Sequence, residues 1–111
     1  MTYRQIATMI AGVGVPYAYY QFPEGTAQAP PFICFYYDSD NDIKADQSNY
    51  QKVERLVIEL YTAKKDFELE AATEAALKAA GLVYSRNEVF IDSEKLYQDV
   101  FETDVLINEE V

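Results

Sequence analysis

The apolar positions between Tyr50 and Ile107 change period twice, and the pattern predicts strand, helix, strand and strand in that order. In Tyr50–Tyr61, Val53, Leu56, Val57 and Leu60 satisfy a helical stripe, whereas Leu56, Ile58 and Leu60 set against Val57, Glu59 and Tyr61 satisfy a strand. Period leaves both open, and the density of Val, Ile and Tyr favours the strand. After a charged turn, Glu68–Ala80 reads as a helix. Asp66 caps it, Leu69, Thr73, Ala76, Leu77 and Ala80 share one face, and Gly81 stands where a left-handed cap belongs. Leu82–Ile91 reads as one strand with an irregularity at Ser85–Asn87. The final run sets Tyr97, Phe101, Val105 and Ile107 against Leu96, Gln98, Val100, Glu102 and Asp104, the two faces of a strand; a helix from Ser93 is the alternative. The acidic end, Asn108–Val111, is expected to fray.

The first half is less periodic. Thr2 can cap a helix over Thr2–Ala11 with Ile6, Met9, Ile10 and Val13 on one side, stopped by Gly12, Gly14 and Pro16. Tyr17–Phe22 is aromatic enough for a strand, Pro23-Glu24-Gly25 marks a turn, and Thr26–Pro31 reads as a loop. Phe32–Tyr37 is apolar at every position, as in a strand covered on both faces. Asp38–Asn49 reads as a long acidic loop. The expectation is one α+β domain over residues 1–111: a mostly antiparallel four- or five-stranded sheet with two helices packed on one face.

Composition narrows the chemistry. The 111 residues include ten Tyr and six Phe, enough apolar volume for a core without metal or disulfide staples. There is one Cys and no His. That excludes an internal disulfide and Cys–His catalysis, and removes the commonest metal ligand and general acid-base group. With no signal-like leader and no long apolar run, the chain reads as soluble and made in the cytoplasm. Net charge is −10, and Arg4 and Glu24 are the only charges before Asp38. Such a balance disfavours binding to nucleic acid or to an anionic membrane.

The candidate motifs are incomplete. Asp38-Ser39-Asp40-Asn41-Asp42 has the alternating carboxylates that open a calcium loop, but Ile43 replaces the turn glycine and Asn49 the bidentate Glu. A solvated acidic loop is the plainer reading. Gly12-Val13-Gly14 lacks a third glycine and a preceding strand, so it reads as a helix stop and not a phosphate loop. Cys34, inside an apolar run, reads as an inert buried thiol. The carboxylate pairs Glu68/Glu70, Asp92/Glu94 and Glu102/Asp104 are the only catalytic material, and nothing in the sequence supplies the cleft that would split their pKa values. No catalytic residue, cofactor or metal is therefore expected. Tyr50, Tyr61, Tyr84 and Tyr97, within alternating runs, read as core; Tyr17, Tyr19 and Tyr20, beside turns, read nearly as well as interface residues as they do as core.

The wording of Tyr50–Ile107, and above all "ELYTAKKDFELE" at Glu59–Glu70 and "VFIDSEKLYQDVFETDV" at Val89–Val105, resembles the tail-completion or tail-terminator proteins of long-tailed bacteriophages and prophages. These are small head-to-tail joining proteins of the lambda-type minor tail protein U kind. The resemblance implies a structural protein of the virion, located at the head–tail junction. Its partners would be further copies of itself in a ring, commonly a hexamer, with the tail tube protein and the head-completion or connector protein on either side. It implies no catalytic residues. In such a ring, Tyr17, Tyr19 and Tyr20 and the acidic segment carrying Asp38, Asp40, Asp42, Lys44 and Asp46 are the candidate subunit contacts. A different class of function also fits the −10 charge: a small acidic phage-encoded binding module that inhibits a nucleic-acid-binding partner.

Overall fold

The computed structural model describes residues 1–23, 28–40, 43–44 and 50–108. Along the chain these form α1 (Tyr3–Ala11), β1 (Tyr17–Tyr19), β2 (Phe32–Asp40), β3 (Ile43–Lys44), β4 (Tyr50–Thr62), α2 (Phe67–Ala79), β5 (Tyr84–Ile91) and β6 (Leu96–Ile107). The main sheet runs β1-β2-β4-β6-β5, and the two-residue β3 pairs with the start of β4. Every pairing is antiparallel except β1 with β2. The α+β expectation of a mostly antiparallel sheet with two helices is what forms.

Local chemistry sets the helix ends. At α1, the Thr2 side chain accepts from the Gln5 backbone N–H at 3.1 Å, and the Gln5 side chain accepts from the Thr2 N–H at 2.9 Å, a reciprocal capping box. At α2, Asp66 Oδ1 accepts from the Leu69 N–H at 3.0 Å. Gly81 then leaves the helix at φ 75, the left-handed turn that glycine makes without a Cβ clash.

Strand period decides which residues face the helices. Cross-strand register aligns Ile33 with Leu60, Phe35 with Ile58, and Ile58 with Phe101, and all five are buried. Ile6 and Ile10 from α1 and Leu77 from α2 join the same cluster, so both helices cover this one face. The opposite face carries Phe32, Cys34, Tyr36, Val57, Tyr61, Leu96 and Val100, with no helix over it among the described residues. Cys34, Val53 and Val57 are nonetheless buried.

Five expectations need correction. The strand over Tyr17–Phe22 is only three residues long, because the backbone turns back at Tyr20. Phe32–Tyr37 is not covered on both faces: Ile33, Cys34 and Phe35 are buried, while Phe32, Tyr36 and Tyr37 stay half-buried. The acidic segment is partly sheet, since β2 continues to Asp40 with a register shift after Tyr37 and β3 lies at Ile43–Lys44. Residues 41–42 and 45–49 lie outside the described residues, as do 24–27 of the expected turn and loop and 109–111 of the expected frayed end. No irregularity occurs at Ser85–Asn87, where β5 pairs with β6 in unbroken register from Tyr84–Thr103 to Ile91–Leu96. Of the tyrosines assigned to the core, Tyr61, Tyr84 and Tyr97 are half-buried at its rim, and the Tyr50 side chain lies outside the described residues.

Candidate functional site

Of the residues proposed for subunit contact, Tyr17, Tyr19, Tyr20 and Asp38 lie at one edge of the sheet. Tyr17, Tyr19 and Tyr20 are 42%, 53% and 63% exposed, and Asp38 is exposed as well. Asp40 and Lys44 lie in β2 and β3 with side chains outside the described residues, where Asp42 and Asp46 also fall. The edge owes its form to Tyr20, whose φ is 67. The Gln21 N–H donates to the Tyr19 carbonyl at 2.8 Å, closing a three-residue turn around it, and the Tyr20 N–H donates to the Phe35 carbonyl at 2.7 Å. Holding a tyrosine in the left-handed region costs about 1–2 kcal/mol. The turn throws Tyr20 across the sheet edge to meet Tyr36, ring centroids 5.9 Å apart, while Tyr19 meets Tyr37 on the helix side at 5.8 Å.

These four rings, with Asp38 and Glu59, line an open cleft of about 610 Å³. Sequence reading found Tyr19, Tyr20 and Asp38 but missed Tyr36, Tyr37 and Glu59. Alternation puts Tyr36 and Tyr37 on opposite faces, and only the short length of β1 lets both reach one cleft. Burial, followed by the charges of Glu59 and Asp38, pushes the Tyr36 phenol above its ordinary value.

A second concentration of charge lies between α2 and the β5–β6 hairpin. Arg86 donates to Glu70 and, at 3.0 Å, to Asp99; Lys65 donates to Glu70 at 2.8 Å and to Glu88. Asp99 is fully buried and Glu70 nearly so. Burial opposes ionisation of Glu70, but hydrogen bonds from Lys65 and Arg86 outweigh it and hold its pKa below the ordinary value. At Asp99 burial prevails over Arg86 and raises the pKa. Carboxylate oxygens of Glu70, Glu88 and Asp99 lie within 4.8 Å of one another, close enough to share a metal ion. Lys65 and Arg86 already bring two positive charges to that spot, so the arrangement is an internal ion-pair network.

The carboxylate pairs singled out in the sequence do not converge as acid and base. Glu70 is buried and Glu68 exposed, Asp92 and Glu94 lie in the β5–β6 turn, and Glu102 and Asp104 both face Arg55, at 3.6 and 3.2 Å. Cys34 is buried and free, and burial, then Glu59, raises its thiol pKa. Gly12 and Gly14 follow α1 as a stop, Gly14 at φ 92. No helix among the described residues is long and apolar enough to cross a membrane.

No family model and no curated protein matches the chain. Among solved structures, the chain is similar to a chain of the virion of a native gene transfer agent particle. The TM-score is 0.59 at 21% identity, over 94% of this chain and 88% of that one. The two chains therefore share a fold, and they do so across almost the whole length of both.

Proposed function

We propose that the chain is a virion structural protein of a phage or phage-like particle. It forms a ring at the end of the tail tube, terminates tail growth and joins tail to head. The observation that carries this reading is the fold shared, over 94% of the chain, with a chain of a gene transfer agent virion. The resemblance of Tyr50–Ile107 to tail-completion proteins supports it from the sequence, and that segment forms β4, α2, β5 and β6.

The surface suits assembly. One face of the sheet has no helix over it, and each edge is unusual: β1 is three residues long, and β5 is exposed from Ser85 to Phe90. Such edges and faces are taken up by neighbours in oligomers, and a head-to-tail contact repeated about an axis closes into a ring. An acidic lumen would repel DNA and let it pass. The role is one of shape and contact, with no catalysis and no cofactor.

Deletion of the gene from the phage or particle producer tests the reading. The expected result is filled heads and unattached tails of uneven length, restored to joined particles by the gene supplied in trans. Normal joined particles from the deletion strain would overturn it.

A further inference from the structure

The cleft at the end of β1 combines three features. First, the left-handed turn at Tyr20 holds a ring out at 63% exposure over Tyr36, although an ordinary turn residue would close the strand without strain. Second, because β1 pairs only with Ile33–Phe35, the stretch Tyr36–Asp38 of β2 lies beyond its cover, and rings from both sheet faces reach one opening. Third, the opening carries negative potential: ring faces bear the negative part of the aromatic quadrupole, and Asp38 and Glu59 add full charges. Among the described residues neither carboxylate pairs with a cation; Glu59 accepts only from the Tyr61 hydroxyl, at 3.0 Å. Burial first, and then these same two carboxylates, raises the Tyr36 phenol.

Aromatic faces beside carboxylates are complementary to a cation. The chain itself has nine cations for nineteen carboxylates. Of its nine Lys and Arg, Arg55, Lys65, Arg86 and Lys95 are already held by its own carboxylates, and the net charge of −10 sets copies of the chain against one another. We propose that the cleft lined by Tyr19, Tyr20, Tyr36 and Tyr37 with Asp38 and Glu59 is a docking site for an arginine side chain of a different, basic protein. The guanidinium lies against the tyrosine rings and donates to the two carboxylates. Arginine suits the site better than lysine because its planar group stacks on aromatic faces and presents five donors. The site goes beyond the ring reading and does not depend on it: a monomer has the cleft as much as a ring does.

The test is titration of isotope-labelled protein with the peptide Gly-Arg-Gly and with the same peptide carrying citrulline, the neutral isostere, followed by amide chemical shifts. The arginine peptide is expected to shift Tyr19, Tyr20, Tyr36 and Asp38 and to bind about tenfold tighter than the citrulline peptide. Glu59→Gln, which leaves the fold intact, should weaken the arginine peptide severalfold and leave the citrulline peptide unchanged. Equal binding of the two peptides, shifts elsewhere, or an unaltered Glu59→Gln variant would overturn the proposal. The same amides shifting with protein concentration alone would make a second copy the occupant, and would overturn it as well. None of these results bears on whether tails are terminated, which the deletion strain reports separately.

Discussion

Arg86 on β5 donates to the fully buried Asp99 on β6 at 3.0 Å, and the same guanidinium nitrogen also donates to Glu70 on α2, so one side chain ties the helix to the hairpin beneath it. The arrangement explains why a chain with so large an acidic surplus can bury Glu70 and Asp99. It also makes Arg86 the charged residue whose loss the fold should feel most.

Arg86→Met is expected to cost about 3 kcal/mol, because it strands two buried carboxylates while leaving Lys65 to serve only one. Arg55→Met removes an ion pair to the more exposed Glu102 and Asp104 and should cost less than about 1 kcal/mol. Urea denaturation of the two variants gives the comparison; equal losses would contradict the account of the buried network.

The same cluster predicts a pH dependence of two signs. The folded pKa of Glu70 is depressed, so its contribution is present above the ordinary glutamate value of 4.5 and is lost as pH falls through the folded value. Asp99 is raised, so its contribution is complete below the ordinary aspartate value of 3.8 and is lost as pH rises through the folded value. Thermal midpoints across the acid range should therefore show Glu70→Gln flattening the loss on acidification, and Asp99→Asn flattening the loss on the way back up. A pair of variants that parallel wild type would remove these groups from the titration.

Leu77 is fully buried against the sheet, and Leu77→Asp should leave no folded domain by circular dichroism. An unpaired buried carboxylate costs a large share of a stability of only about 5–15 kcal/mol. Cys34→Ala, on the face without a helix, should stay folded and remain competent for assembly.

Gly81 closes α2 at φ 75 with open space where a Cβ would stand, so Gly81→Ala is strained by backbone conformation and not by collision. The expected loss is about 1 kcal/mol by thermal denaturation, and Gly81→Asn should lose less, since Asn tolerates the left-handed region.

What the sequence made legible was what period and punctuation encode. Thr2, Asp66 and Gly81 mark helix ends because each satisfies or redirects backbone groups locally, and the alternation from Leu96 to Ile107 sorts itself onto two faces as read. The site was half legible. Tyr19, Tyr20 and Asp38 stand out as polar or aromatic residues beside turns, but Glu59 joins them only through the pairing of Cys34 with Glu59 across β2 and β4, a contact no local pattern announces. Glu70 falls outside the apolar stripe read for the helix, and it is buried because Lys65, five residues before it, and Arg86, from a later strand, neutralise it. The irregularity assigned to Ser85–Asn87 reflects three polar residues on an exposed edge strand, where a regular backbone has no need of apolar side chains.

The central claim is that copies of this chain close into a ring on the end of a tail tube. Negative-stain imaging of the purified protein mixed with tail tubes from the gene-deleted strain tests it most directly. The account predicts rings of one size with a central hole, seated on one end of each tube. Bare tube ends beside single-subunit particles, or open filaments of the protein, would contradict it.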